Sequence, residues 1–91
     1  MRPEDLPERT KLIQLAEESA ELAQAALKLI RSLDGDTPVS EVDARDHLRE
    51  EIADVKLCAD VLTSKADDYI VKAIYAKKYK RWEKRINGII V

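Results

Sequence analysis

Apolar residues recur at intervals of three and four along two stretches of the chain, and this spacing constrains the fold more than any other feature. Leu12, Leu15, Ala16, Leu22, Ala26, Leu29 and Leu33 form one stripe; Leu48, Ile52, Val55, Ala59 and Leu62 form another. A helix turns about 100° per residue, so such spacing gathers side chains on one side, whereas a half-buried strand needs strict alternation. Two glycines and no phenylalanine in 91 residues leave little to favour a sheet. The sequence predicts an all-α chain.

Boundary signals divide it into three helices. Pro7 suits a first helical position, where its missing N–H is not needed. The first helix is expected over 7–33 and stops at "DGDTP", where Gly35 can take a left-handed cap and Pro38 cannot continue a helix. Ser40 is a good N-cap for a second helix running to about Thr63, with Asp43 three residues on. "SKADD" at 64–68 predicts a short break, with Asp67 or Asp68 capping a third helix that Asn87-Gly88 ends near Ile86. Ile89, Ile90 and Val91 read as a frayed tail or a packing segment. The expected architecture is an antiparallel helical hairpin plus one more helix, a single domain over 1–91. A core of this size is thin, so pairing with a second copy to build a four-helix-bundle core is expected.

Charge is distributed unevenly. Residues 1–60 carry 15 acids and 8 Lys or Arg, net −7; residues 61–91 carry 3 acids and 8 bases, net +5. The halves can bind a cation and an anion respectively, or attract each other as solvated helix faces. Cys58 is the lone cysteine, so no internal disulfide forms. No signal-peptide pattern opens the chain, and no run approaches the roughly 20 apolar residues of a membrane span. A cytoplasmic protein without membrane attachment is expected.

Acids stand where the stripes predict burial. Glu18 and Glu21 are three apart, hence about 60° apart on one face. Glu51 and Asp54 repeat the arrangement on the second helix. In an antiparallel hairpin the pairs can face each other, and four carboxylates in a partly dry site repel at a cost of several kcal/mol. A divalent cation relieves that repulsion, and hard oxygen donors suit Mg²⁺, or Mn²⁺ in its place. One Glu-x-x-Glu pair also occurs on many solvated helices; two on consecutive helices beside the core stripe are more specific. Glu17 and Glu50 adjoin the pairs as candidates for activating water. Di-iron bundles would need Glu-x-x-His. The single histidine, His47, has Ala44 three residues before it and Glu50 three after, and reads as a partly exposed helix residue.

With Glu17-Glu18-Ser19-Ala20-Glu21 followed by Glu51-Ile52-Ala53-Asp54, the sequence resembles the MazG-like, all-α nucleoside triphosphate pyrophosphohydrolases. The resemblance covers about residues 10–86. It implies the all-α NTP pyrophosphatase fold, assembled as a homodimer or homotetramer, and an enzyme that cleaves a nucleoside triphosphate between the α and β phosphates, in a nucleotide house-cleaning role. It also implies Mg²⁺ on Glu18, Glu21, Glu51 and Asp54, with Glu17 or Glu50 as the base. Lys77 matches a lysine on the family's third helix and Arg81 follows one turn later, both as phosphate-binding groups; some relatives carry asparagine where this chain has Arg81. A solvated basic face is the plainer account of that run. Tyr75, Tyr79 and Trp82 interleave the bases of "KKYKRWEKR", yet the acidic balance and lack of a recognised motif speak against nucleic acid as the partner. Trp82 reads as a helix-interface residue and Cys58 as a small buried hydrophobe. The alternative to an enzyme is a non-catalytic helical interaction module.

Overall fold

A computed structural model describes residues 1–88 and is all-helical; residues 89–91, with the tail expected there, lie outside the described residues. After a 3₁₀ turn over Pro3–Asp5 come α1 (Glu8–Leu33), α2 (Glu41–Leu62) and α3 (Lys65–Ile86). Pro7 is the N-cap of α1 rather than its first residue. At the other end Gly35 takes φ +76°. The Gly35 N–H reaches Ser32 O and the Asp36 N–H reaches Arg31 O at 2.8 Å, closing a Schellman motif. The Ser32 hydroxyl donates to Val39 O across the loop at 3.0 Å.

Ser40 caps α2 as expected, its Oγ accepting from the Asp43 N–H at 3.1 Å. The cap of α3 differs from expectation. Ser64, not Asp67 or Asp68, occupies that position, its Oγ accepting from the Asp67 N–H at 3.1 Å. Both acids lie inside the first turn, where they complement the positive helix end. The joint between α2 and α3 is therefore only Thr63 and Ser64, both extended.

α1 and α2 pack along their length, and the 3₁₀ turn rests on α2. The covered seam follows a 3-4 repeat: Leu15, Glu18, Leu22, Ala25, Leu29 and Ser32 on α1, and Ala44, Leu48, Glu51, Val55, Cys58 and Leu62 on α2. Ala25 and Ala44, both outside the expected stripes, are each 1% exposed. Their small side chains allow close approach of the two axes. Leu12, Ile13, Leu27, Ile30 and Leu33 remain about half exposed. α1 thus has a second apolar face turned away from α2.

Among the described residues α3 packs against neither α1 nor α2. The chain spreads over 44 × 42 Å with a thickness of 17 Å. Its radius of gyration is 16.7 Å, against about 12 Å for a compact chain of this length. No helix among the described residues is long and apolar enough to cross a membrane.

Candidate functional site

The α1–α2 seam carries two carboxylates at positions that a coiled-coil repeat normally fills with leucine or isoleucine. Glu18 is half-buried and Glu51 is only 7% exposed. Because the helices run antiparallel, the middle of α1 meets the middle of α2, and the two acids face one another. Asp54, one turn beyond Glu51, joins them from the exposed side. One carboxylate oxygen from each of Glu18, Glu51 and Asp54 lies within 4.8 Å of the others.

Two neighbouring side chains satisfy this group incompletely. Gln14 donates its amide N–H to Glu18 Oε1 at 3.1 Å. His47 Nε2 lies 3.2 Å from Glu51 Oε1. Glu18 Oε2 and Glu51 Oε2 are buried with no hydrogen-bond partner among the described residues. Orphaned acceptors of this kind are costly unless something fills them. Burial raises the Glu18 pKa above the ordinary carboxylate range, and the charges of Glu21, Asp54 and Glu51 push it further. The donors are all oxygen, the type that Mg²⁺ and Mn²⁺ take.

The other predicted residues are placed less closely. Glu21 is exposed and stands outside the three-oxygen group, near enough for its charge to act on Glu18. Glu17 and Glu50 are exposed, each one position from a cluster acid and so turned about 100° from it. Lys77 and Arg81 lie on α3, exposed, and the single chain does not bring them to the acids. Cys58 enters the site's border beside Glu18 and Asp54; burial and then those two charges push its thiol pKa up, which keeps it protonated and a poor nucleophile.

Reading motifs alone missed three residues. His47 sits four residues before Glu51, and i,i+4 neighbours on a helix touch; that spacing was the available signal. Lys28 and Arg31 share a cavity of about 440 Å³ with Glu21, His47 and Glu51. Lys28 is seven residues past Glu21, about 20° off the same helical line. Neither a family model, a curated protein nor a solved structure matches the chain.

Proposed function

We propose that the chain is a Mg²⁺-dependent nucleoside triphosphate pyrophosphohydrolase that converts a nucleoside triphosphate and water to the monophosphate and pyrophosphate. The observation that carries this reading is Glu51, a carboxylate held at a seam position with one oxygen orphaned, beside Glu18 and Asp54. Burying that oxygen without a partner costs free energy that packing alone does not return. Glu18, Glu51 and Asp54 would hold the ion, with Glu21 at the margin. When bound, Mg²⁺ supplies neutralisation of polyphosphate charge and lowers the pKa of water.

The chain's own groups supply the rest. His47 fixes Glu51 from outside the triad, and Gln14 fixes Glu18. Water adds its oxygen to the α-phosphorus, the bond from that phosphorus to the α–β bridging oxygen breaks, and pyrophosphate leaves with the electron pair. The water's proton goes to a carboxylate drawn from Glu17 and Glu50, the acids adjoining the cluster but outside it.

The active form is a homodimer or homotetramer. The chain exposes 7616 Å², where a compact monomer of 91 residues exposes about 5,400 Å². The excess, roughly 2,200 Å² per chain, matches what obligate homodimers bury. A second copy laid on the free face of α1 would complete a four-helix core. It would also give α3 a hairpin to pack on, and through it Lys77 and Arg81 a site to serve. A lone cysteine and a nucleotide substrate accord with work in the cytoplasm.

The exposed apolar face of α3 also favours a second reading, a helical interaction module without turnover. Pyrophosphate release from a panel of nucleoside triphosphates with Mg²⁺, comparing the wild type with Glu51→Gln, separates the two. The enzyme reading expects release by the wild type and a loss of at least about 100-fold in the variant, since even groups that merely support a metal ligand are worth 10–100-fold. No release from any triphosphate favours the module; release indifferent to Glu51 rejects this site.

A further inference from the structure

The acids stand on a divide between two cavities of opposite character. Glu21 and Glu51 border the larger, about 440 Å³, whose other polar groups include Gln24, Lys28, Arg31 and His47. Glu18 and Asp54 border the smaller, about 210 Å³, whose walls are Leu6, Leu57, Cys58 and Val61, with Gln14 and Lys11 at its edge. The 3₁₀ turn closes this second cavity through Pro3.

We infer that a nucleotide lies across the acids in one direction, with its β and γ phosphates in the cavity of Lys28 and Arg31 and its nucleoside in the cavity of Leu6 and Leu57. This rests on the pyrophosphohydrolase reading and deepens it by assigning substrate polarity.

Three observations support the assignment. Lys28 and Arg31 share a cavity with two carboxylates, yet among the described residues neither cation has a carboxylate oxygen within 4 Å. Their charge is available to a ligand. Both residues are C-terminal to Glu21 on α1, and long helical side chains lean toward the helix N-terminus, so both reach back toward the acids. A guanidinium and an ammonium one turn apart suit the several anionic oxygens of a pyrophosphate. The smaller cavity has the composition of a base or sugar pocket, apolar walls with a few polar groups for orientation. Gln14 spends one amide N–H on Glu18 and keeps the other, with its carbonyl, for the ligand. The reversed pose would set polyphosphate charge against Leu6, Leu57 and Val61 with Lys11 as the one cation.

The test reads binding without turnover. Titration calorimetry on the full chain with Mg²⁺ uses inorganic pyrophosphate as one ligand and a set of nucleoside monophosphates as the other. Lys28→Ala/Arg31→Ala should weaken pyrophosphate binding by about 100-fold, tenfold for each charge-assisted contact, and change monophosphate affinity less than about twofold. Leu6→Ser/Leu57→Gln should do the converse, weakening the monophosphate by about tenfold and sparing pyrophosphate. All four altered side chains are largely outside the seam, and circular dichroism checks that each variant keeps its helices. Swapped effects, or pyrophosphate binding indifferent to Lys28 and Arg31, overturn the assignment. A wild type that hydrolyses triphosphates with such indifference loses this inference and keeps the function; one that binds neither ligand and hydrolyses nothing loses both.

Discussion

α2 and α3 are both 22 residues long, both begin after a serine, and both serines accept from the N–H of an aspartate three residues on at 3.1 Å. By local rules they are the same helix. Their surroundings are opposite. α2 has Ala44 and Glu51 buried and a continuous seam against α1, whereas α3 has no buried residue, and Tyr75 and Trp82 are 71% and 62% exposed. Helix formation and helix packing are therefore separable here. Capping and propensity suffice to start α3, and its exposed apolar surface is the surface that the proposed assembly would cover. In that proposal the α1–α2 hairpin of another copy would be the other side, in keeping with the excess surface of the chain and the opposite net charges of its two parts.

The largest expected effect concerns a partner for α3 in solution. Sedimentation at micromolar concentration should give a dimer or larger, and Ile74→Asp/Trp82→Ser should reduce the mass to one chain while the hairpin stays helical. A wild type that sediments as a single chain removes the interface reading of α3.

Next in size is the effect of restoring the seam. Glu51→Leu puts a hydrophobe into a repeat that otherwise has one, and should stabilise the metal-free protein by about 1.5–3 kcal/mol while erasing any rise in melting temperature with Mg²⁺. Chemical denaturation with and without Mg²⁺ measures both. A variant less stable than wild type without metal would mean that Glu51 supports packing rather than a ligand.

The two serine caps should each contribute about 1 kcal/mol. Ser40→Ala should lower the global stability, because α2 is half of the seam. Ser64→Ala should speed amide exchange in α3 and leave the α1–α2 amides unchanged in the dissociated Ile74→Asp/Trp82→Ser background. Equal loss of protection in both helices would show that α3 folds as one unit with the hairpin even without a partner.

The smallest effect expected is a pH slope. Glu18 has a raised pKa in the folded state, so the folded protein binds its proton more tightly than the unfolded one. Stability without metal is therefore unaffected well below the ordinary carboxylate range and falls as pH rises from that range toward the raised value. Glu18→Gln should flatten the slope, as should saturating Mg²⁺. Melting temperatures across the acidic range decide it; a rise with pH in the wild type contradicts the crowding of the acids.

Much of this was legible from residue spacing. The three helices, the Gly35 stop and the Ser40 cap follow from local chemistry, and the approach of Glu18 to Glu51 and Asp54 follows from two helices turned antiparallel by a short loop. Other parts were not. The acids near Ser64 compete on equal terms as caps, because Ser and Asp are both good acceptors at that position. The expected stripe on α1 mixed two faces, since Leu12, Ala16 and Leu33 lie beside Leu15, Leu22 and Leu29 within one broad apolar arc. Lys28 and Arg31 belong to no motif, and only a cavity gives their charge a location.

Local chemistry in the sequence set where α1 ends and α2 begins, because caps and turns act over a few residues, and it placed acids at one-turn spacing. Which side of α1 meets α2, which of the acids share a space, and whether α3 touches anything were decided by tertiary structure. Periodicity sets the angle of a side chain about its own axis and says nothing of where the neighbouring axis lies; burial and charge crowding depend on that second axis.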